Sequence, residues 1–183
     1  MSLTRKHRRH HYSQVRPFND AYEVEVLEPG GRALTEAEAA RLSELYGNVK
    51  SKSLELNTFG LPPELIPSMV TAPGWELLLF REAGQPDSEC IGFLASYTGQ
   101  AGYLPLIVGL DYRCVTERGL YRQVLRQCVV RARALGKERV LYGFAASLEK
   151  RRFGAKPHAS SMFIEAEDDY AFATLAQISA EGA

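Results

Sequence analysis

The chain has 183 residues, and its 22 lysines and arginines balance 22 acidic residues, so the formal net charge is zero. An apolar fraction of 45% suits one ordinary soluble domain with a sizeable core. Neutral charge excludes a general pull toward nucleic acid or membrane. Three scattered cysteines exclude a disulfide framework, and no apolar stretch approaches membrane-span length. No signal peptide is visible, and the cysteine usage fits reduced thiols in a cytoplasmic protein.

Residues 1–20 open with the basic block TRKHRRHH and hold few core-formers. They read as a flexible or loosely docked arm, in preference to a nucleic-acid tether. His7, His10 and His11 imply no ligand geometry, and no metal site is expected. Residues 21–183 read as a single domain. Residues 22–27 alternate Tyr, Val and Val with glutamates, a period-two strand. Pro29-Gly30-Gly31 is a turn. Thr35 caps a helix over 36–46, Glu38 completes a capping box, and Gly47 is its expected stop. Residues 48–61 read as irregular, anchored by Leu54, Leu56 and Phe59. Pro62 or Pro63 opens a short helix through Val70. Residues 75–81 and 90–98 form a hairpin with a polar tip at 84–88. Phe59, Met69 and Trp75 read as core.

The most informative stretch is 103–154. Leu104, Leu106, Ile107, Val108 and Leu110 form a strand covered on both faces, with Pro105 marking a bulge or the strand's start. Residues 111–117 read as a loop, with Thr116 as an N-cap. A long helix follows, with apolar Leu120, Tyr121, Val124, Leu125, Cys128, Val129, Ala132 and Leu135 on one face, stopped by Gly136. Gly119 in its first turn costs about 1 kcal/mol against alanine. One reason to keep it is close approach of another molecule to free helix N–H groups, which favour phosphate. Arg113, Arg118 and Arg122 would add positive charge. The alternative is tight helix–strand packing with solvated arginines. Residues 139–144 read as a second strand parallel to the first. A short basic helix over 145–153 ends at Gly154. Residues 160–165 read as a strand, and Asp168 caps a last helix through Ile178, with Tyr170, Ala171, Leu175 and Ile178 as its apolar face.

This layout of strand, loop, glycine-led helix, strand and short helix resembles the core of the GNAT superfamily of N-acyltransferases. The family loop pattern is [RQ]-x-x-G-x-[GA]. With Gly119 as its first glycine, Thr116 and Tyr121 depart from it. The Fem-like branch, with related domains found beside amino-ketone synthases, is similar at Tyr121-Arg122 and at Gly143, Lys150 and Gly154.

The resemblance implies an α/β (α+β) fold. Its central mixed, mostly antiparallel sheet has helices on both faces and a parallel strand pair at a V-shaped cleft. It implies an acyl group passing from acetyl-CoA or another acyl-CoA to the amine of a small molecule or amino acid. The donor would lie against Ile107, Val108 and Gly109, whose backbone lends an N–H to the acyl carbonyl. Its phosphates would meet Arg113, Thr116, Glu117, Arg118, Gly119, Leu120, Tyr121 and Arg122. Lys150 stands where many members carry an acidic tyrosine, and Tyr142, Tyr112 and Tyr121 are nearby alternatives. Asp111 or Glu149 would serve as base, or a water chain. Three alternatives remain: a degenerate GNAT domain that binds without catalysis, a Fem-like transferase using aminoacyl-tRNA, and, more weakly, an RNA-associated protein. Apart from tRNA no nucleic acid is expected, nor a membrane. The Fem-like branch commonly pairs two such domains and the chain is short for it, so the resemblance implies either a homodimer or one half of a larger ancestral design.

Overall fold

The computed structural model describes residues 4–52, 61–85, 88–143, 147–159 and 168–181. Its centre is a four-stranded antiparallel sheet in the order β1-β2-β3-β4, formed by Tyr22–Leu27, Trp75–Glu82, Gly92–Thr98 and Tyr103–Leu110. Strand β2 lies inside the sheet, and its sequence WELLLFRE is apolar on both faces for that reason. Leu77 and Leu79 pack beneath α2 (Glu36–Lys52) and α3 (Leu65–Met69) with Leu42, Leu45, Ile66 and Met69. Leu78 and Phe80 pack on the opposite face with Leu120, Val124 and Cys128 of α5 (Leu120–Ala134). The two helix layers thus clamp one sheet, each through a buried stripe at helical spacing. The GNAT-like architecture expected from the sequence is the one observed.

Local signals explain most boundaries. The Glu38 N–H donates to Thr35 Oγ1 at 3.2 Å, and the Thr35 N–H donates to Glu38 Oε2 at 3.0 Å, a reciprocal capping box. Gly47 does not stop α2, which continues to Lys52. A mid-helix glycine costs about 1 kcal/mol, and the Leu42, Leu45 and Val49 face outweighs it. At the end of α5, Gly136 adopts φ 65° and the Lys137 N–H returns to Ala132 O at 2.7 Å. All three thiols are unpaired; burial pushes that of Cys128 up to about 12.

Three expectations are revised. Residues 112–118 are a helix, α4 (Tyr112–Arg118), and Asp111 caps it by accepting the Arg113 N–H at 3.0 Å. Thr116 therefore sits inside α4 and caps nothing. Residues 139–143 make no named strand: among the described residues only Val140 bridges Tyr103, in the parallel sense. The arm's expected looseness is a separate matter from its secondary structure: α1 (Arg5–Gln14) continues into a single 3-10 turn, Arg16–Phe18. Tyr170, expected on the buried face of the last helix, α7 (Asp169–Glu181), is 84% exposed. The short helix α6 (Ser147–Arg152) ends at Gly154 as read, with φ 88° there. The strand expected at 160–165, Phe59, Leu54 and Leu56 lie outside the described residues.

Candidate active site

Among the described residues β4 is an edge strand of the sheet, and a bulge shapes it. Ala95 pairs with Ile107, but Ser96 pairs with Pro105, so Leu106 has no partner on β3 and is 52% exposed. An extra residue on one strand bends it and raises its twist. At the foot of β4, the Tyr103 N–H donates to Arg139 O and the Leu141 N–H to Tyr103 O, both at 2.9 Å. Beyond Leu141 no further pairing joins the two segments among the described residues. The parallel pair thus meets at one rung and parts. The Asp111 N–H turns toward β3, donating to Ile91 O at 2.8 Å. By the two-residue alternation of a strand, Val108 and Leu110 present their N–H groups to the open edge. Ile107 and Gly109 face β3.

At the head of β4 the chain turns into α4 and then α5, joined at Gly119 in the left-handed region (φ 64°). Within α5 the first N–H with an intrahelical acceptor is that of Gln123, to Gly119 O at 3.1 Å. The N–H groups of the preceding turn have no acceptor inside the helix. The neighbour that approaches Gly119 is the chain's own arm: a Cβ there would lie 3.5 Å from the Phe18 ring and 3.6 Å from Gln14 O. The expected cations divide. Arg113 pairs with Asp111 at 2.5 Å and Arg118 with Glu82 at 2.5 Å. Arg122 lies 3.4 Å from Glu149 and borders an open depression with Lys6, Arg9, His10 and Arg152. Thr116 and Glu117 lie on α4, Leu120 is buried, and Tyr121 is half-buried in the first turn of α5.

The four catalytic candidates fall into two pairs. Asp111 and Tyr112 stand where β4 enters α4, against α2. The Asp111 carboxyl is held below its ordinary range by Arg113 hydrogen bonds, which outweigh its burial, with Arg41 assisting at 3.4 Å. Lys52 lies 3.9 Å from the Tyr112 ring centre, and burial raises that phenol. Tyr142 and Lys150 stand on the segment that parts from β4. The Tyr142 hydroxyl donates to Leu125 O at 3.3 Å, and burial raises its pKa far above the ordinary phenol value. Lys150 Nζ donates to Gly143 O at 2.8 Å. Among the described residues no cluster of three His, Cys, Asp or Glu side chains forms a metal site, and no helix is long and apolar enough to cross a membrane.

Lys6, Arg9, His10 and Arg152 went unnoticed as site residues because more than a hundred positions separate the arm from α5 and α6. The only trace was the basic character of residues 4–11.

No protein-family model and no curated protein sequence matches the chain. Solved structures do. An aminoglycoside acetyltransferase from an uncultured soil metagenomic sample superposes with a TM-score of 0.57 at 14% identity, over 84% of this chain and 99% of that one. A Trypanosoma brucei acetyltransferase gives 0.52 at 17%, over 79% and 100%. A ribosomal-protein-alanine N-acetyltransferase from Brucella melitensis biovar Abortus 2308 gives 0.53 at 13%, over 79% and 99%. The fold is that of the GNAT-type acetyltransferases. At these identities the likeness carries the GNAT fold and lends no support to the Fem-like branch.

Proposed function

We propose that this protein is an N-acyltransferase that moves an acyl group from an acyl-CoA to the amine of a small molecule or amino acid. The observation that carries this reading is the bulged, open edge of β4 beside a parallel segment that leaves it after one rung. In a fold whose solved neighbours include acetyltransferases, that gap is where a donor and an acceptor can be held side by side, and holding them together supplies much of the acceleration.

The donor supplies an activated thioester carbonyl. The residues present fit its polar groups: strand N–H groups of β4 that have no partner among the described residues, and the first turn of α5 with Arg122. The Val108 N–H faces the gap and would donate to the carbonyl oxygen as negative charge develops there. Tyr142 lies near the gap, but burial raises its pKa far above the ordinary phenol value and its hydroxyl donates to Leu125 O, so as it stands it is a weak proton donor to the departing thiolate. Lys150, anchored on Gly143 O, places a positive charge on the same wall. Asp111 is a poor base here, since its arginine partners stabilise the ionised form. A water chain serves for the incoming amine.

A second reading, ligand binding without catalysis, draws on α4, which occupies the place expected for a phosphate loop. Release of free thiol from acetyl-CoA and longer acyl-CoAs, followed over a panel of small amines and amino acids, separates the two. Amine-dependent release supports the transferase, and its absence with every donor sinks it.

A further inference from the structure

The arm lies against the end of α5 that an acyl donor must reach. A Cβ on Gly119 would sit 3.5 Å from the Phe18 ring and 3.6 Å from Gln14 O. One turn on, the Gln123 side-chain amide donates to Val15 O at 2.7 Å. The C-terminal end of α1, the negative end of its dipole, is thus set beside the first turn of α5, the positive end of another. The chain itself answers the partial charge there. On its other side α1 touches α6: the His11 and Phe153 rings meet edge to face, with centroids 5.9 Å apart. The arm therefore bridges α5 and α6.

Its hold is uneven. Val15 is fully buried, but no residue of α1 is. His10 Nε2 is buried without a hydrogen-bond partner, and Glu149 Oε2, at 3.6 Å, is beyond reach. An unpaired buried nitrogen works against docking. Lys6 and Arg9 border the same depression as Arg122 and Arg152, and like charges across that seam oppose docking too. A segment with so few buried side chains opens at low cost. Just beyond it, the Tyr22 hydroxyl donates to Arg118 O at 2.9 Å and pins the chain, which leaves residues 19–21 as the pivot.

We infer that residues 5–18 form an autoinhibitory strap, which covers the donor's end of α5 when docked and swings away for the donor to bind. This rests on the transferase reading above, which puts the donor at the first turn of α5. Docked arm and bound donor then compete for one surface. The apparent affinity for the donor is the intrinsic affinity reduced by the fraction of molecules with the arm undocked. Loosening the arm tightens donor binding. An arm that served as a wall of the donor site would have the opposite effect.

Calorimetry with acetyl-CoA on the full chain reads that sign. Gln123→Leu removes the anchor to Val15 O from the body, and Val15→Asp removes the buried contact from the arm. Each is expected to lower the Kd for acetyl-CoA at least about fivefold. A second measurement needs no variant: in wild type, acetyl-CoA speeds amide exchange over residues 5–18. Binding by the variants alone is the strongest form of the expected result. Unchanged or weaker binding by both variants, or slower exchange of the arm with the donor present, overturns the strap and leaves the transferase reading standing. No binding by any of the three proteins, with no amine-dependent thiol release, removes the transferase reading and the strap with it.

Discussion

The side-chain amide of Gln123 donates to the backbone carbonyl of Val15 at 2.7 Å, and neither residue is more than 2% exposed. This one bond joins residues 108 positions apart. It fixes the end of the arm against the first turns of α5, where a free carbonyl would otherwise be buried unpaired. Replacing Gln123 by Leu keeps much of the volume and deletes the donor. The cost is the desolvation of Val15 O, about 1–3 kcal/mol. Urea denaturation should show a loss in that range, and hydrogen exchange should place the largest loss of protection in residues 5–18.

Beneath the sheet's open end lies a second buried network. Glu76 is 3% exposed; the Tyr103 hydroxyl donates to its Oε1 at 2.6 Å, and Arg131 donates to both of its oxygens. Glu28 gives Arg131 a second carboxylate at 2.5 Å. Removing Glu76 leaves Arg131 with the more exposed Glu28 alone and the Tyr103 hydroxyl without its acceptor, which costs about 1.5–3 kcal/mol. Glu76→Ala is therefore expected to lower the urea midpoint. Tyr103→Phe, which removes a single hydrogen bond, should cost about 1–2 kcal/mol. If the two variants have similar stability, the charge network is not what holds this corner.

Acid should loosen the arm. Burial, with Arg152 beside it, holds the His10 imidazole below its ordinary value of 6.5; Arg122 and His11 act in the same sense and Glu149 opposes them. A base with a depressed folded pKa binds fewer protons when docked than when free. Its contribution is therefore complete above the unfolded value and is lost as pH falls through the folded one. Amide protection of α1, corrected for intrinsic exchange, should be complete above the ordinary imidazole value of 6.5 and fall as the pH drops below it. His10→Gln should flatten that dependence, although His11, also lowered by burial, retains a part of it.

Gly109 tests the strand beside the proposed cleft. A Cβ there would run into the Phe93 ring and come within 2.9 Å of the Leu45 backbone carbon. The ring can turn, but the backbone of α2 cannot yield cheaply. Gly109→Ala should cost about 1–3 kcal/mol as overpacking. It should also lower turnover more than the stability loss alone explains, because β4 must shift. Thiol-release rates measured well below the variant's midpoint check this.

How far the sequence could be read depended on where the deciding contacts lay. The capping box at Thr35 and Glu38, the β2–β3 hairpin and most of the α5 stripe are written within a few residues and stand as expected, whereas Leu135 is exposed and Gln123 is buried in the structure. Helix α4 was missed although Asp111 is a proper N-cap residue: Tyr112, Cys114, Val115 and Thr116 give no clear apolar stripe, and their propensities suit strand as well as helix. Residues 139–143 have strand character, yet among the described residues only Val140 pairs with β4, because pairing depends on a partner in another part of the chain. Pro105 did mark the bulge in β4. The cationic depression was invisible for the same reason: its residues meet only once α1 folds back along α5.

The most direct test of the account follows the backbone amides of β4 by ¹⁵N-resolved NMR during titration with acetyl-CoA. A donor in the proposed cleft should shift Val108 and Leu110, whose N–H groups face the open edge, together with residues 120–122 at the start of α5. Ile107 and Gly109, turned toward β3, should move less. Saturable binding that leaves Val108, Leu110 and residues 120–122 unmoved, or no binding at all, would contradict the assignment of this edge as the acyl-donor site.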